Sequence, residues 1–209
     1  MIPALEALKR LQEGNARFAS GVRSLEAMMS QTRRGDLVAG QEPFAIILGC
    51  SDSRVPAEIV FDQGLGDLFI VRVAGNIVAP SQVGSVEFAA ERSGIRLVVV
   101  LGHTRCNAIL ATVEELGRPS ADQSPNLRSI VDCIRPSVEP LMDTELRQNP
   151  EALVKHAVRA NIRDSVNHLR HGSRLLENLI QKNGLLVVGA EYSLETGEVD
   201  FFDSVPEHG

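Results

Sequence analysis

Short apolar runs alternate along this chain with amphipathic segments. The runs are rich in β-prone residues and predict four strands and a possible fifth, at 44–48, 68–73, 96–101, 185–188 and 199–202. None of the first four runs alternates regularly between apolar and polar residues, which is typical of strands that are buried on both faces of a parallel sheet.

Segments with apolar residues at helical spacing lie between the predicted strands. Near the start, Leu5, Leu8, Leu11 and Phe18 recur at near-helical intervals and predict an amphipathic helix. Further helices are predicted at 24–34, 85–92, 108–117, 127–141, 151–169 and 174–182.

Strands that alternate with helices predict an α/β fold. We expect a mostly parallel central sheet of four strands, with a possible antiparallel fifth, flanked by helices. Residues 1–209 are predicted to form a single domain, in which residues 1–36 are an N-terminal helical arm.

Composition and charge narrow the classes of function. With 44% hydrophobic and 23% charged residues, the 209-residue chain is typical of a soluble globular protein. Its net charge of −6 argues against nucleic-acid binding, which depends on clustered Lys and Arg. Because no apolar run approaches the roughly 20 residues that cross a bilayer, and the first residues do not resemble a signal peptide, we expect a cytoplasmic protein with no membrane partner.

Two short motifs directly follow two of the predicted strands. Cys50-Ser51-Asp52-Ser53-Arg54 follows the first strand, and His103-Thr104-Arg105-Cys106 follows the third. Ligand sites in open α/β sheets lie outside the carboxyl ends of the strands, where both motifs are expected. Two cysteines and one histidine are a set that binds zinc while a fourth position stays open. Either motif alone is common by chance, but together they predict a catalytic zinc site.

Asp52 and Arg54 indicate what such a zinc ion would do. Arg54 can hold the Asp52 carboxylate in a bidentate pair, which keeps the carboxylate ionised and away from the metal. Asp52 can then accept a hydrogen bond from zinc-bound water or hydroxide and orient it. The predicted nucleophile is zinc hydroxide.

The remaining cysteine and histidines have no partner at a useful spacing. We predict that Cys133 is a small buried hydrophobic residue, as free cysteine commonly is. His156, His168 and His171 are predicted to lie on solvated helix faces, and His208 lies in the terminal tail. The three cysteines do not suggest a disulfide framework.

Three segments of the chain resemble the β-class carbonic anhydrases. The segment C-S-D-S-R-V-P, followed later by G-H-T-R-C, is similar to two motifs of that family. The segment LGDLFIVRVAGNIV resembles a third, G-[DE]-[LA]-F-V-x-R-x-x-[AG]-N. The resemblance extends from the N-terminal helix to Tyr192, and the three motifs together are highly specific.

The resemblance implies a lyase that reversibly hydrates carbon dioxide to bicarbonate and a proton by zinc-bound hydroxide, with one Zn²⁺ per chain. It makes Cys50, His103 and Cys106 the zinc ligands, and Asp52 with Arg54 the catalytic pair. In some family members the aspartate becomes a fourth zinc ligand in a closed, inactive state, so Asp52 is also a candidate ligand. The resemblance also implies a homodimer or homotetramer.

Four further residues match substrate-binding positions of the family. Gln41 falls where one subclass keeps a glutamine that hydrogen-bonds the substrate. Phe69, Ala74 and Phe88 fall where family members line the carbon dioxide pocket, which suits a small apolar substrate. The alternative for these three residues is simple packing in the core.

Two departures from the family pattern leave alternatives open. Arg72 and Tyr192 match two residues of a bicarbonate effector site, but Ile47 stands where a Trp completes that site. We therefore expect an incomplete effector site and weak or absent inhibition by bicarbonate. Asn107 replaces the usual Gly after the last ligand, and it either narrows the pocket or offers an amide donor. Asn107 keeps open a carbonyl sulfide or carbon disulfide hydrolase on the same scaffold, and a zinc-binding relative with weak activity is a third hypothesis.

Overall fold

The computed structural model describes residues 2–24, 35–117 and 124–204, and within them five strands form one sheet. The strands are β1 (Ala45–Cys50), β2 (Leu68–Val73), β3 (Leu97–His103), β4 (Leu186–Tyr192) and β5 (Val199–Asp203). Their order is β2-β1-β3-β4-β5, and only the β4–β5 pair in this part of the chain is antiparallel. The predicted mostly parallel sheet with an antiparallel fifth strand is confirmed.

Helices surround this sheet. They are α1 (Ala4–Ala19), α2 (Ala57–Val60), α3 (Pro80–Arg92), α4 (Asn107–Gly117), α5 (Pro125–Met142), α6 (Pro150–His171) and α7 (Arg174–Asn183). Short 3₁₀ turns occur at Asp36–Ala39, Ala74–Asn76 and Glu145–Gln148. The helix predicted at 24–34 lies outside the described residues, apart from Ser24. None of the helices in the described ranges has the length and apolar character needed to cross a bilayer.

Both faces of the sheet are buried, which accounts for the lack of alternation in the sequence. Val98 of β3 belongs to a core that includes Ile162 of α6. The next residue, Val99, belongs to a second core on the other face, with Leu8 and Leu11 of α1. Because successive side chains of a strand point to opposite faces, an apolar residue is required at every position of such a strand.

Strands β3 and β4 continue further than the sequence predicted. The predicted strands ended at residues 101 and 188, yet Gly102 and Gly189 both pair in register with the neighbouring strand. A Cβ at Gly102 would lie 2.5 Å from Cδ1 of Ile162, and a Cβ at Gly189 would lie 2.8 Å from Cγ2 of the same residue. Helix α6 therefore packs directly on the backbone here, and glycine serves close approach instead of a turn. As a result, His103 is the last residue of a strand.

Local sequence signals account for several helix ends. Helix α3 begins at Pro80, earlier than the predicted start at residue 85, because proline is favoured in the first turn of a helix. Asn149 and Ser173 cap α6 and α7, and the side-chain oxygen of each accepts a hydrogen bond from the N–H three residues later, at 3.1 Å. Gly184 ends α7 with a φ of 68°.

Helix α1 packs on the sheet of its own chain through one apolar stripe. Leu11 is fully buried and Leu8 is 2% exposed, whereas Leu5 is 58% exposed. The guanidinium of Arg10 lies 4.2 Å from the centre of the Phe44 ring, which adds a cation–π contact at the edge of the stripe. The predicted amphipathic helix is thus attached to the domain by its central turns.

We predict that Leu11→Ala lowers the free energy of unfolding by about 2–5 kcal/mol, because it leaves a cavity between α1 and the sheet. Leu5→Ala is the matched control in the same helix, and we expect a change within about 0.5 kcal/mol. Urea unfolding followed by circular dichroism, at one protein concentration, measures both. Equal losses in the two variants would contradict this packing of α1.

Candidate metal centre

Cys50, His103 and Cys106 meet at the carboxyl edge of the sheet. Cys50 ends β1 and His103 ends β3, and these two strands are adjacent and parallel. Cys106 directly precedes α4, and its carbonyl accepts a hydrogen bond from the N–H of Leu110 at 3.0 Å. The structure therefore brings together the three residues that the two motifs contribute.

The three side chains form a buried cluster that fits a zinc ion. Their ligand atoms all lie within 4.8 Å of one another. The two sulfur atoms are 3.9 Å apart, far beyond the length of a disulfide bond, which is about 2.05 Å. When two thiolates bind the same zinc ion at about 2.3 Å with tetrahedral geometry, their sulfur atoms lie about 3.8 Å apart. The spacing of Cys50 and Cys106 matches that value.

His103 offers a nitrogen to the same cluster. Its Nδ1 lies 2.9 Å from the carbonyl oxygen of Thr104, and since a carbonyl can only accept, Nδ1 carries the proton. Nε2 is then left with a lone pair, and it is buried without a hydrogen-bond partner among the described residues. A buried polar atom without a partner is costly, and a metal ion beside the two sulfurs would satisfy it.

The two cysteines differ in how readily they lose a proton. The hydrogen bond that the Cys106 thiol donates to Cys50 lowers the pKa of Cys50 to about 4, and the N–H of Gly75, 3.4 Å from the sulfur, helps. The same hydrogen bond, together with burial, raises the pKa of Cys106. Without a cation the pair therefore shares one proton. A divalent cation would replace that proton and stabilise both thiolates.

Cys106 also lies at the positive end of helix α4. The nearby backbone N–H groups of Ala108 and Ile109 lower the pKa of Cys106 and partly offset its rise. Free N–H groups at the start of a helix favour a negative charge, which is the state of a cysteine that binds metal.

Asp52 faces the cluster and is held by Arg54. Two guanidinium nitrogens of Arg54 donate to Oδ1 and Oδ2 of Asp52, at 2.8 and 2.7 Å, and the Arg54 backbone N–H donates to Oδ1 at 3.0 Å. This bidentate pair holds the pKa of Asp52 well below its usual range. Oδ2 of Asp52 lies 3.9 Å from Nε2 of His103. An ionised carboxylate thus stands in front of the cluster, fixed by an arginine.

Arg72 supports the backbone of the first motif. It donates to the carbonyl oxygens of Cys50 and Asp52, at 3.0 and 2.6 Å. Tyr192, its expected companion in an effector site, lies on β4 and packs against Phe18. Strands β1 and β3 separate β2 from β4, so Arg72 and Tyr192 lie on strands that are not neighbours in the sheet.

Ala74 is close to the cluster, whereas Phe69 and Phe88 are not. Ala74 opens the turn whose next residue, Gly75, donates to the sulfur of Cys50. Phe69 lies near the amino end of β2, and its ring centre is 6.4 Å from that of Phe88 on α3. Phe88 is 56% exposed, so core packing, the alternative to a pocket role, is wrong for this residue.

Gln41 and Asn107 are on the surface, in different places. Gln41 precedes β1 and lines a groove with Gly66 and Asp67, which precede β2. It therefore lies at the amino edge of the sheet, opposite the cluster. Asn107 is exposed at the first position of α4, next to Cys106.

Two residues that the sequence analysis did not select hold the turn beside Cys50. Asn161 and Ser165 of α6 donate to the carbonyl oxygens of Gly75 and Asn76, at 2.8 and 3.1 Å. Gly75 has a φ of 70°, which favours glycine, and its N–H points to Cys50. A signal was present: Asn161 and Ser165 are polar residues four positions apart on the apolar side of a helix.

The prediction that Cys133 is buried is wrong. Cys133 is exposed on α5, because the stripe of this helix that faces the core contains Val131, Ile134 and Val138, and Cys133 lies off that stripe. His208 lies outside the described residues. The predicted exposure of the helix histidines is confirmed for His156, His168 and His171.

Comparisons with known proteins point to one family. The model of a family described as carbonic anhydrase matches residues 45–199. The chain is 37% identical to carbonic anhydrase 2 of Mycobacterium tuberculosis, over 97% of this chain and 95% of that protein. It is 36% identical to a carbonic anhydrase of Mycolicibacterium smegmatis, over 93% and 91%. Among solved structures, the β-carbonic anhydrase CafA of Aspergillus fumigatus superposes with a TM-score of 0.74 at 25% identity, covering 86% of each chain.

We predict that the purified protein holds about one zinc ion per chain and that Cys106→Ser loses most of it, because a hydroxyl is a poor substitute for a thiolate ligand. Cys133→Ser is the matched control and should retain zinc, since Cys133 is exposed and apart from the cluster. Elemental analysis of dialysed protein measures the content. The same zinc content in both variants would exclude Cys106 as a ligand.

Proposed function

The chain belongs to the β-class carbonic anhydrase family, and we propose that it hydrates carbon dioxide reversibly to bicarbonate at a zinc ion held by Cys50, His103 and Cys106. The three residues would leave a fourth position open for the reaction, as in catalytic zinc sites. Asp52 and Arg54 would be the catalytic pair beside that position.

The geometry of Asp52 is the observation that carries this proposal. Structural zinc sites are usually closed by four protein ligands, whereas catalytic sites keep one position free. Here Arg54 holds both oxygens of Asp52, and Oδ2 of this carboxylate lies 3.9 Å from Nε2 of His103. A purely structural zinc ion would not require a carboxylate restrained in this way.

The chain's own residues would orient the attacking water and keep its environment fixed. A zinc ion in such a site supplies acidity, so that a coordinated water can lose its proton near neutral pH. Asp52, ionised because Arg54 lowers its pKa, can accept one hydrogen bond from the attacking water and fix its direction. Ala74, next to the cluster, offers an apolar contact to a small apolar substrate.

The closed state implied by the family resemblance would require Asp52 to leave Arg54. Both carboxylate oxygens are engaged by Arg54, so this movement would break two charge-assisted hydrogen bonds. An Asp52–Arg54 pair of this kind would favour an open state, in which Asp52 acts on water and does not bind the metal.

We also propose that the protein works as a homodimer or homotetramer, in the cytoplasm. Phe88 is 56% exposed beside Phe69 on β2, an edge strand of the sheet, so an apolar surface is available at that edge. Gln41 lies at the opposite edge from the cluster of its own chain. A role for Gln41 and Phe88 in substrate binding would therefore require a second copy of the chain.

Asp52→Asn should lower kcat/KM for carbon dioxide hydration on the order of 10²-fold, because the amide cannot replace the charged acceptor. We expect zinc content to be retained. Arg54→Gln should also lower the rate. Asp52 stays ionised at pH 7 even with an ordinary pKa of about 3.9, so the lower rate of this variant would report the lost orientation of the carboxylate and not a lost charge. Stopped-flow hydration from mildly acidic to alkaline pH measures both variants.

Asp132→Asn provides the matched control for these variants. Asp132 is an exposed aspartate on α5 that pairs with Arg135, and its replacement should leave the rate unchanged. Absence of hydration at any pH, with zinc bound, would refute the proposed activity. Hydrolysis of carbonyl sulfide by the same sample would then favour the alternative hydrolase. Loss of zinc in Asp52→Asn would mean that Asp52 is mainly a ligand.

Sedimentation analysis should give a mass of two or four chains, and Phe88→Glu should shift it toward the single chain by placing charge on the apolar edge. Leu127→Glu is the control, since Leu127 is 58% exposed and lies on α5 instead of the α3–β2 surface. A single-chain mass for the unaltered protein at micromolar concentration would contradict the oligomer.

A further inference from the structure

The two residues between His103 and Cys106 are bound by one carboxylate from another part of the chain. Oγ1 of Thr104 donates to Oε2 of Glu195 at 2.8 Å. Nε of Arg105 lies 2.7 Å from Oε1 of the same glutamate. Glu195 thus contacts the whole connection between two members of the cluster. It lies in the turn between β4 and β5 and is 43% exposed.

Thr104 connects Glu195 to the imidazole of His103. The N–H of Thr104 donates to the carbonyl of Tyr192 at 3.0 Å, and the N–H of Leu194 donates to Oγ1 of Thr104 at 3.0 Å. The carbonyl of Thr104 in turn accepts the hydrogen bond from Nδ1 of His103, at 2.9 Å. The position of the Thr104 backbone therefore sets the orientation of the histidine ring.

Arg105 connects Glu195 to Cys106. Arg105 has a φ of 55°, in the left-handed region that residues other than glycine rarely adopt. Its ion pair with Glu195 holds the side chain of this strained residue. Because Cys106 follows immediately, the conformation of Arg105 sets the direction in which the chain enters α4.

The turn that carries Glu195 is itself firmly held. Ser193 donates to the carbonyl of Glu198 at 2.8 Å, and Gly197 donates to the carbonyl of Ser193 at 2.9 Å. Asn15 of α1 donates to the carbonyl of Gly197 at 2.9 Å and accepts from the N–H of Val199 at 2.8 Å. The backbone around Glu195 is therefore fixed, so its side chain can restrain Thr104 and Arg105.

We propose that Glu195 is a positioning residue of the metal centre, which holds His103 and Cys106 in zinc-binding geometry by binding Thr104 and Arg105. The inference rests on the proposed zinc site and adds a residue that does not touch the metal. An exposed ion pair contributes little to the stability of a whole domain. The effect of Glu195 therefore falls on the local geometry of the loop.

Zinc release tests this role directly. Zinc-loaded protein is mixed with an excess of a chromophoric chelator, and the rate of zinc transfer is measured. Glu195→Ala should release zinc about 10–100-fold faster than the unaltered protein, which is the usual cost of losing a residue that orients a metal ligand. Glu195→Gln keeps an acceptor for Thr104 but loses the charge facing Arg105, so its rate should lie between the two.

Two controls separate positioning from general structure. Glu198→Ala removes an exposed glutamate from the same turn and should release zinc at the unaltered rate. Thermal unfolding of the zinc-free proteins should give the same midpoint for Glu195→Ala and the unaltered chain. A residue with only a structural role would instead lower this midpoint.

The outcomes distinguish this inference from the proposed function. An unaltered release rate in Glu195→Ala, from a protein that does bind zinc, overturns the role of Glu195 and leaves the zinc site standing. Equal acceleration in Glu195→Ala and Glu198→Ala also overturns it, because the turn alone would then matter. Failure of the unaltered protein to bind zinc overturns the metal centre and this inference together.

Discussion

The parallel pairing of β1 with β3 is the constraint on which the rest of the structure depends. It places Cys50 and His103 at neighbouring strand ends, although a long stretch of chain separates them in sequence. The pairing is stable because apolar cores cover both faces of the two strands. A shift by one residue would turn each strand's side chains to the wrong face and separate the ligands. The register of β1 with β3 therefore determines the geometry of the cluster.

The second level of organisation is the set of contacts around the cluster. Arg72 holds the backbone of the first motif from β2, and Asn161 holds the turn at Gly75 from α6. Glu195 holds the second motif from the turn after β4. Strand β2, helix α6 and the turn after β4 each contribute two polar contacts to the loops. Rigid support of this kind matters because zinc ligands must be held to within fractions of an ångström.

The fold and the core of the site could be predicted from sequence because both rest on local patterns. Strands without alternation indicate a sheet buried on both faces, and the motif residues follow those strands directly. The third strand was predicted to end at residue 101, because the close contact of Gly102 with Ile162 depends on a helix far away in sequence. The burial of Cys133 was predicted wrongly because the apolar context of a helix does not show which of its residues face the core. Glu195 looks like any exposed acid until the loop that it binds is seen in space.

The exposure of Cys133 makes one thiol chemically distinct from the other two. Cys50 and Cys106 are buried and face each other, so an alkylating label that reacts by access alone selects Cys133. The next residue, Ile134, packs at Gly75, whose N–H reaches the sulfur of Cys50. A fluorophore on Cys133 would thus be attached next to Ile134, the residue that packs against this turn. The chain carries a built-in attachment point for an optical reporter of metal loading.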